Sequence, residues 1–168
     1  MAHSPAGTTG SRADRIGLRR IAAEDRATLF ELYALVRAEE LGLAQCDPDE
    51  RHQLVRFQLD AQERGYRTRY PAADWEFILR NGSPVGWIVV DRTGPVVRCL
   101  DIALVEKERC RRAGTVVMQA LQAEAAATAR AVSLSVSRLN LRAMAFYERL
   151  GFRTTGETDL HLTMEWQP

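Results

Sequence analysis

The sequence lacks long hydrophobic runs, an excess of one charge and paired cysteines. No run reaches eighteen apolar residues, so no segment is predicted to span a bilayer as a helix. Lysine and arginine number 23 against 22 acidic residues, and the net charge of +1 gives no electrostatic basis for binding nucleic acid or an anionic membrane. The cysteines Cys46, Cys99 and Cys110 are odd in number and lack metal-ligand spacing. We therefore expect no metal site, free thiols and a cytoplasmic location.

The composition is that of one globular domain. The 168 residues are 46% hydrophobic and 27% charged, which is enough to bury an ordinary core. Residues 1–11 are small and polar and lack the apolar centre of a secretory signal. We expect residues 1–14 to form a disordered tail and residues 15–168 to form the domain. The basic residues are almost all arginine, which indicates a bacterial protein from a GC-rich genome.

Two helices are predicted after a first strand at residues 15–21. The first begins at Glu24, carries one apolar stripe, and ends at Gly42. The second has an N-cap, a proline at the first helical position and an acidic residue that bonds back to the cap, at Asp47, Pro48 and Glu50. We expect Gly65 to end the second helix. The apolar stripe of the first helix is Leu29, Leu32, Tyr33 and Val36, and the predicted buried face of the second is Leu54, Phe57 and Ala61.

The rest of the chain alternates strands with two further helices. Strands are predicted at residues 75–79, 85–90, 96–105 and 132–137, and a helix at residues 116–129. The last strand, residues 160–166, alternates apolar and polar residues with a period of two. The order is βααβββαβαβ(β), which predicts an α/β domain with a mixed sheet and helices on its faces.

The segment at residues 139–152 carries the most specific pattern. Asn140 is a good N-cap, apolar residues then follow at helical spacing, and Gly151 ends the helix before Phe152. The combination Asn-x-x-Ala-x-x-x-Tyr-Glu-x-Leu-Gly-Phe closely resembles the C-terminal signature of the GNAT superfamily of acetyl-CoA-dependent N-acetyltransferases. The resemblance implies an acyl-CoA N-acyltransferase fold with a mostly antiparallel central sheet. It also implies that Asn140 caps the helix near the pantetheine arm of acetyl-CoA and that Tyr147 is the general acid for the leaving thiolate.

A second stretch resembles the family's pyrophosphate-binding loop, Arg/Gln-x-x-Gly-x-Gly/Ala, which opens a helix. Arg109 matches the first position and Gly114 the last, whereas Arg112 replaces the first glycine. The arginine could bind the pyrophosphate, fill the space the ligand needs, or sit in a backbone conformation that glycine adopts more easily. The residues expected to bind acetyl-CoA are Ala103, Leu104, Val105, Arg109, Cys110, Arg111, Arg112, Ala113, Gly114, Thr115, Asn140 and Tyr147.

The sequence patterns that indicate the general base and the acceptor site are less specific. Backbone N–H groups of residues 101–105 are expected to hold the thioester oxygen. Asp101 is the candidate base, with a structural aspartate and a water chain as the alternatives. Gln62 and Tyr66 fall on one face of the second helix, together with Gln58. The acceptor is expected to contact Gln62, Tyr66, Tyr70 and Trp87, with Trp75 a further candidate.

The resemblance implies transfer of an acetyl group from acetyl-CoA to a primary amine of a small molecule or peptide, by direct attack in a ternary complex. The alternative is a catalytically degenerate module of the same fold that binds CoA esters as a sensor or interaction domain. The chain is expected to be a monomer or a homodimer, with residues 160–166 exchanged or packed at the interface in the second case. No metal, nucleic acid or membrane partner is expected.

Overall fold

The computed structural model describes residues 14–38 and 41–168. The predicted tail therefore lies outside the described residues, apart from Asp14. The strands are β1 (Ile16–Arg20), β2 (Asp74–Arg80), β3 (Ser83–Asp91), β4 (Val97–Leu104), β5 (Val132–Ser137), β6 (Arg153–Glu157) and β7 (His161–Trp166). The helices are α1 (Arg26–Arg37), α2 (Pro48–Arg69), α3 (Ala113–Ala127) and α4 (Leu141–Arg149).

The seven strands form one mixed sheet in the order β1-β2-β3-β4-β5-β7-β6. Every neighbouring pair is antiparallel except β4 and β5, which are parallel. Helix α3 packs across β1, β2, β4 and β5, and α1 packs on α2 and β3. The predicted order of elements and the mostly antiparallel mixed sheet are confirmed. β7 lies between β5 and β6 of its own chain.

The sheet parts between β4 and β5. These strands pair only over Val97–Cys99 and Val132–Leu134. Directly afterwards β4 carries a bulge at Leu100, because Cys99 lies opposite Val90 while Asp101 lies opposite Val89. A bulge bends its strand and increases the local twist. β5 meanwhile stays paired with β7 as far as Ser137. The two halves of the sheet therefore diverge and leave an opening, here called the mouth, between the C-terminal ends of β4 and β5.

The local signals around α4 are confirmed. The Asn140 side-chain oxygen accepts a hydrogen bond from the Ala143 N–H at 3.0 Å, which satisfies one free donor of the first turn. Gly151 has φ of +88°, the left-handed conformation that ends a helix with little cost only for glycine. Phe152 then enters the core fully buried.

Two predictions for α2 were wrong. Phe57 is 64% exposed, whereas Val55 and Leu59 are buried and Leu54 packs against the core only partly buried, so the buried face is turned toward Val55 and Leu59. Gly65 lies inside α2, which continues to Arg69. A glycine inside a helix costs about 1 kcal/mol relative to alanine, an amount that packing and hydrogen bonds of the following turn can offset. The capping box of Asp47 and Glu50 at its start is confirmed.

The other boundaries shift by a few residues. A 3₁₀ turn at Ala23–Asp25 precedes α1, and α1 ends at Arg37, before Gly42. α3 begins three residues earlier than predicted, at Ala113. None of the helices in the part of the chain that the structure describes is long and apolar enough to cross a membrane.

Candidate active site

The mouth exposes backbone donors of β4 that have lost a strand partner. The Val105 N–H donates to the Val85 carbonyl at 3.0 Å, toward β3. Because successive residues of a strand point their N–H groups to opposite edges, Ala103 also faces β3, whereas Ile102 and Leu104 face the mouth. Within the predicted range 101–105, Ile102 and Leu104 therefore offer their N–H groups there, whereas Ala103 and Val105 do not. The sequence did not predict which members of the range face the mouth, because this alternation depends on the pairing register and on the bulge.

The loop between β4 and α3 has a backbone shaped by two left-handed residues. Cys110 has φ of +60° and Arg112 has φ of +66°. The position where the resembling motif has a glycine thus adopts a conformation that glycine takes more easily than arginine does. The Val116 N–H bonds to the Arg112 carbonyl, which leaves the earlier N–H groups of the first turn of α3 without helical partners.

These N–H groups suit a pyrophosphate. A helix N-terminus combines free donors with a positive dipole end, and alternating backbone conformations form concave anion sites. Among the described residues no hydrogen bond satisfies the N–H groups of Cys110 or Arg112. A Cβ added to Gly114 would meet Leu104 and Phe146 at 3.5 Å, which is ordinary contact, so packing within the chain does not itself require glycine there. The residues present therefore fit the pyrophosphate of CoA.

The side chains of this loop fall into two groups. Arg111 pairs with Glu108 at 3.1 Å, and Arg142 donates to the Cys110 sulfur at 3.1 Å. Arg109 donates only to the Leu104 carbonyl at 3.3 Å, and Arg112 is exposed without an ion pair among the described residues. Within the described part of the chain, no carboxylate thus compensates these two guanidinium charges at the helix entrance.

Tyr147 lies on α4 with its ring in the core. Its neighbours are Phe146, at 5.3 Å between ring centroids, and Phe152, at 5.8 Å. The residue is 8% exposed, and burial raises the pKa of its hydroxyl, with the charges of Cys99 and Asp101 acting in the same direction. The hydroxyl has no hydrogen-bond partner among the described residues. Its oxygen is nevertheless not fully buried. The hydroxyl therefore remains protonated and available as a donor.

Asp101 is held from several sides. One carboxylate oxygen, Oδ2, accepts from the Trp87 indole N–H and from the Gln62 amide, both at 2.8 Å. The other oxygen, Oδ1, lies 3.8 Å from the Arg37 guanidinium. Oδ2 is thus occupied by two neutral donors, whereas Oδ1 faces the Arg37 guanidinium.

The structure brings three of the predicted acceptor residues together. Gln62 and Trp87 meet at Asp101, and the Tyr66 hydroxyl donates to the carbonyl of the bulged Leu100 at 2.9 Å. Burial, with the charge of Asp101, raises the pKa of Tyr66 to about 12, so this donor stays protonated. Sequence reasoning missed Arg37, whose guanidinium lies 5.8 Å from the centroid of the Tyr33 ring, one turn earlier on α1.

The remaining predicted acceptor residues lie elsewhere. Tyr70 is at the C-terminal end of α2, where its ring contacts Arg69. Trp75 packs behind Tyr66, at 5.9 Å between centroids, near the start of β2. Gln58 makes no side-chain hydrogen bond within the part of the chain that the structure describes.

A cavity in another part of the fold lies apart from the mouth. A cavity of about 600 Å³ opens between α1 and the start of α2, lined mostly by apolar side chains such as Phe30 and Leu43. It shares no residue with the mouth. Within residues 14–38 and 41–168, no group of three or more His, Cys, Asp or Glu side chains could hold a metal ion.

Comparison with known proteins identifies the family. No curated protein matches the chain. Solved structures with the same fold include the PaiA N-acetyltransferase of Thermoplasma acidophilum in complex with coenzyme A, at 15% identity and a TM-score of 0.68 over 92% of this chain and 99% of that one. An acetyltransferase of Thermus thermophilus is 16% identical, with a TM-score of 0.69 over 91% and 97%. Ard1 of Thermoplasma volcanium is 21% identical, with a TM-score of 0.59 over 90% and 97%. The profile described as Acetyltransferase (GNAT) family matches residues 29–152, most of the sequence, so the chain belongs to that family.

Proposed function

We propose that this protein transfers the acetyl group of acetyl-CoA to a primary amine of a small molecule or peptide, by direct attack in a ternary complex. The observation that carries the proposal is the mouth itself. It places the unpaired edge of β4 beside a helix entrance with free N–H groups and two uncompensated arginines, Arg109 and Arg112. The CoA-bound state of the similar PaiA structure supports the choice of ligand.

Each part of the reaction has a residue suited to it. When bound, acetyl-CoA supplies an acetyl group activated as a thioester. The N–H groups of Ile102 and Leu104 would hold the acetyl carbonyl oxygen and stabilise the charge that develops on it. The loop at residues 109–115 and the capped end of α4 at Asn140 would hold the pyrophosphate and the pantetheine arm.

The two proton transfers fall to Tyr147 and Asp101. As the new C–N bond forms and the C–S bond breaks, the sulfur gains a proton from Tyr147 and the amine nitrogen loses one. A protonated Tyr147 with a free donor suits the first role. The Asp101 Oδ1 atom would take the amine proton, directly or through a water molecule, while Oδ2 stays fixed by Trp87 and Gln62.

The test separates binding from turnover. Acetyl-CoA at about a hundred times its Kd should stabilise the fold by about 2.7 kcal/mol, a rise in melting temperature of roughly 5 to 10 °C for a domain of this size. A panel of primary amines is then assayed for acetylated product by mass spectrometry, with secondary alcohols as controls. Absence of any shift would contradict the proposal. A shift without product from any amine would favour the degenerate, CoA-sensing module.

A further inference from the structure

A buried arginine at the end of β2 joins three segments of the chain. Arg80 is 8% exposed, and all three nitrogens of its guanidinium are used. Nε pairs with the Glu108 carboxylate at 2.6 Å, one terminal nitrogen pairs with Asp14 at 2.6 Å, and the other donates to the Arg111 carbonyl at 2.8 Å. One side chain thus ties the segment before β1 and the end of β2 to the loop before α3.

The bond to the Arg111 carbonyl fixes the orientation of a peptide in that loop. In a trans peptide the carbonyl and the following N–H point in opposite directions. Because Arg80 holds the Arg111 carbonyl on its own side, the Arg112 N–H is directed away from Arg80. Cys110 and Arg112, on either side of this residue, are left-handed, a conformation that is unfavourable for a residue other than glycine. External contacts are needed to keep such a backbone in one state.

Arg80 also controls charge at the helix entrance. Glu108 is 5% exposed and lies in the 3₁₀ turn directly before the loop. An unpaired carboxylate there would repel a phosphate group. Arg80 and Arg111 pair with its two oxygens, at 2.6 and 3.1 Å. With the Glu108 charge compensated in this way, that carboxylate does not oppose the attraction of Arg109 and Arg112 for an anion.

We propose that Arg80 is a positioning residue for CoA binding. Through Glu108 and the Arg111 carbonyl it holds the loop so that the Arg112 N–H and the first turn of α3 face the pyrophosphate. The inference rests on the proposed function, since CoA is the ligand. A lysine cannot replace this arginine, because one ammonium lacks the planar set of donors that reaches three partners in different directions.

The experiment measures CoA affinity by titration calorimetry and steady-state kinetics on the full chain. Arg80→Lys keeps a positive charge opposite Glu108 but loses the fixed contact to the carbonyl. We expect its Kd for CoA and its KM for acetyl-CoA to rise about tenfold, with kcat and the acceptor KM within about twofold of the parent. Amide hydrogen exchange of residues 106–115 should accelerate. The matched control is Arg92→Lys, since Arg92 also pairs with several carboxylates, Asp74, Glu76 and Glu124, away from the loop.

Every outcome decides between the proposals. A parent protein that does not bind CoA contradicts the proposed function. If the parent binds CoA, the role of Arg80 is overturned when Arg80→Lys binds CoA as tightly as the parent. It is also overturned when Arg80→Lys binds CoA no more weakly than Arg92→Lys does. If Arg80→Lys does not fold, the double variant Arg80→Met/Glu108→Met replaces it, because exchanging a buried ion pair for apolar residues is commonly neutral for stability. That variant should still bind CoA about tenfold more weakly, and unchanged affinity would equally overturn the inference.

Discussion

At the scale of single residues, the two tyrosine hydroxyls of the site differ in whether they have a hydrogen-bond partner within the protein. Tyr147 is buried and Tyr66 is partly buried, and the hydroxyls of both have a raised pKa, but their surroundings differ. Tyr66 donates to the Leu100 carbonyl and so has a structural partner at the point where β4 bends. The Tyr147 hydroxyl has none among the described residues. Of the two, only Tyr147 has a proton to offer to a ligand.

Tyr147→Phe should therefore reduce turnover selectively. We expect kcat to fall by roughly ten- to a thousandfold, because the lost proton donor acts in the transition state. The Kd for acetyl-CoA should stay within about twofold, since the ring contacts to Phe146 and Phe152 are kept. Stopped assays of product formation and calorimetry measure the two quantities. Tyr70→Phe, at the C-terminal end of α2, is the control, and full kcat in Tyr147→Phe would show that another group protonates the thiolate.

Arg112 combines a useful charge with an unfavourable backbone, and two substitutions separate these effects. Arg112→Ala keeps a Cβ at φ of +66° and removes the rest of the side chain with its guanidinium, so affinity for CoA should drop by roughly tenfold, and more at low salt. Arg112→Gly also relieves the backbone, so it should be more stable than Arg112→Ala by roughly 1 kcal/mol in urea unfolding. Tighter CoA binding by Arg112→Gly than by the parent would mean that the arginine obstructs the site.

At the scale of elements, the starts and ends of helices could be predicted from the sequence, whereas the register of strand pairing could not. The cap of α4 at Asn140 and its stop at Gly151 could be read from the sequence, because each involves atoms within a few residues. The bulge at Leu100 depends on how β3 and β4 pair across the sheet, so the direction of the Ile102 N–H could not be predicted. Arg80 and Glu108 are likewise 28 residues apart in the chain. The buried face of α2 was wrong at Phe57 because both possible faces contain apolar residues.

Substitution of Gly114 tests whether glycine is needed at the start of α3 for ligand binding or for packing. Its missing Cβ would make only ordinary contacts with Leu104 and Phe146, and alanine favours helix by up to about 1 kcal/mol. Gly114→Ala should therefore keep or raise the melting temperature of the free protein. It should nevertheless weaken CoA binding, because the added methyl group hinders close approach to the N–H groups. Calorimetry and thermal unfolding check both parts, and a variant with lower stability and unchanged affinity would contradict this account.

At the scale of the whole molecule, the fold is two half-sheets joined by a short parallel contact. One half contains β1 to β4 and the other β5, β7 and β6, and they share only the pairing of Val97–Cys99 with Val132–Leu134. The ligand proposed here would contact β4 and the loop after it on one side and α4 on the other. Binding at the mouth would thus add contacts between halves that the sheet itself joins weakly. The three cysteines lie at different depths around this arrangement and can report on it.

Alkylation by iodoacetamide should distinguish the three thiols and locate the ligand. Cys110 is exposed in the loop and should react first, Cys46 is partly buried and slower, and Cys99 is buried. Burial raises the pKa of Cys99 to about 12, and only the thiolate reacts, so native Cys99 should stay unmodified even at about pH 9. Saturating acetyl-CoA should slow Cys110 at least about tenfold, as measured by peptide mass spectrometry, and leave Cys46 unchanged. In urea all three thiols should react, which shows that the reagent can modify each of them once it is exposed. If Cys110 reacts as fast with acetyl-CoA bound as without it, the pyrophosphate lies away from this loop.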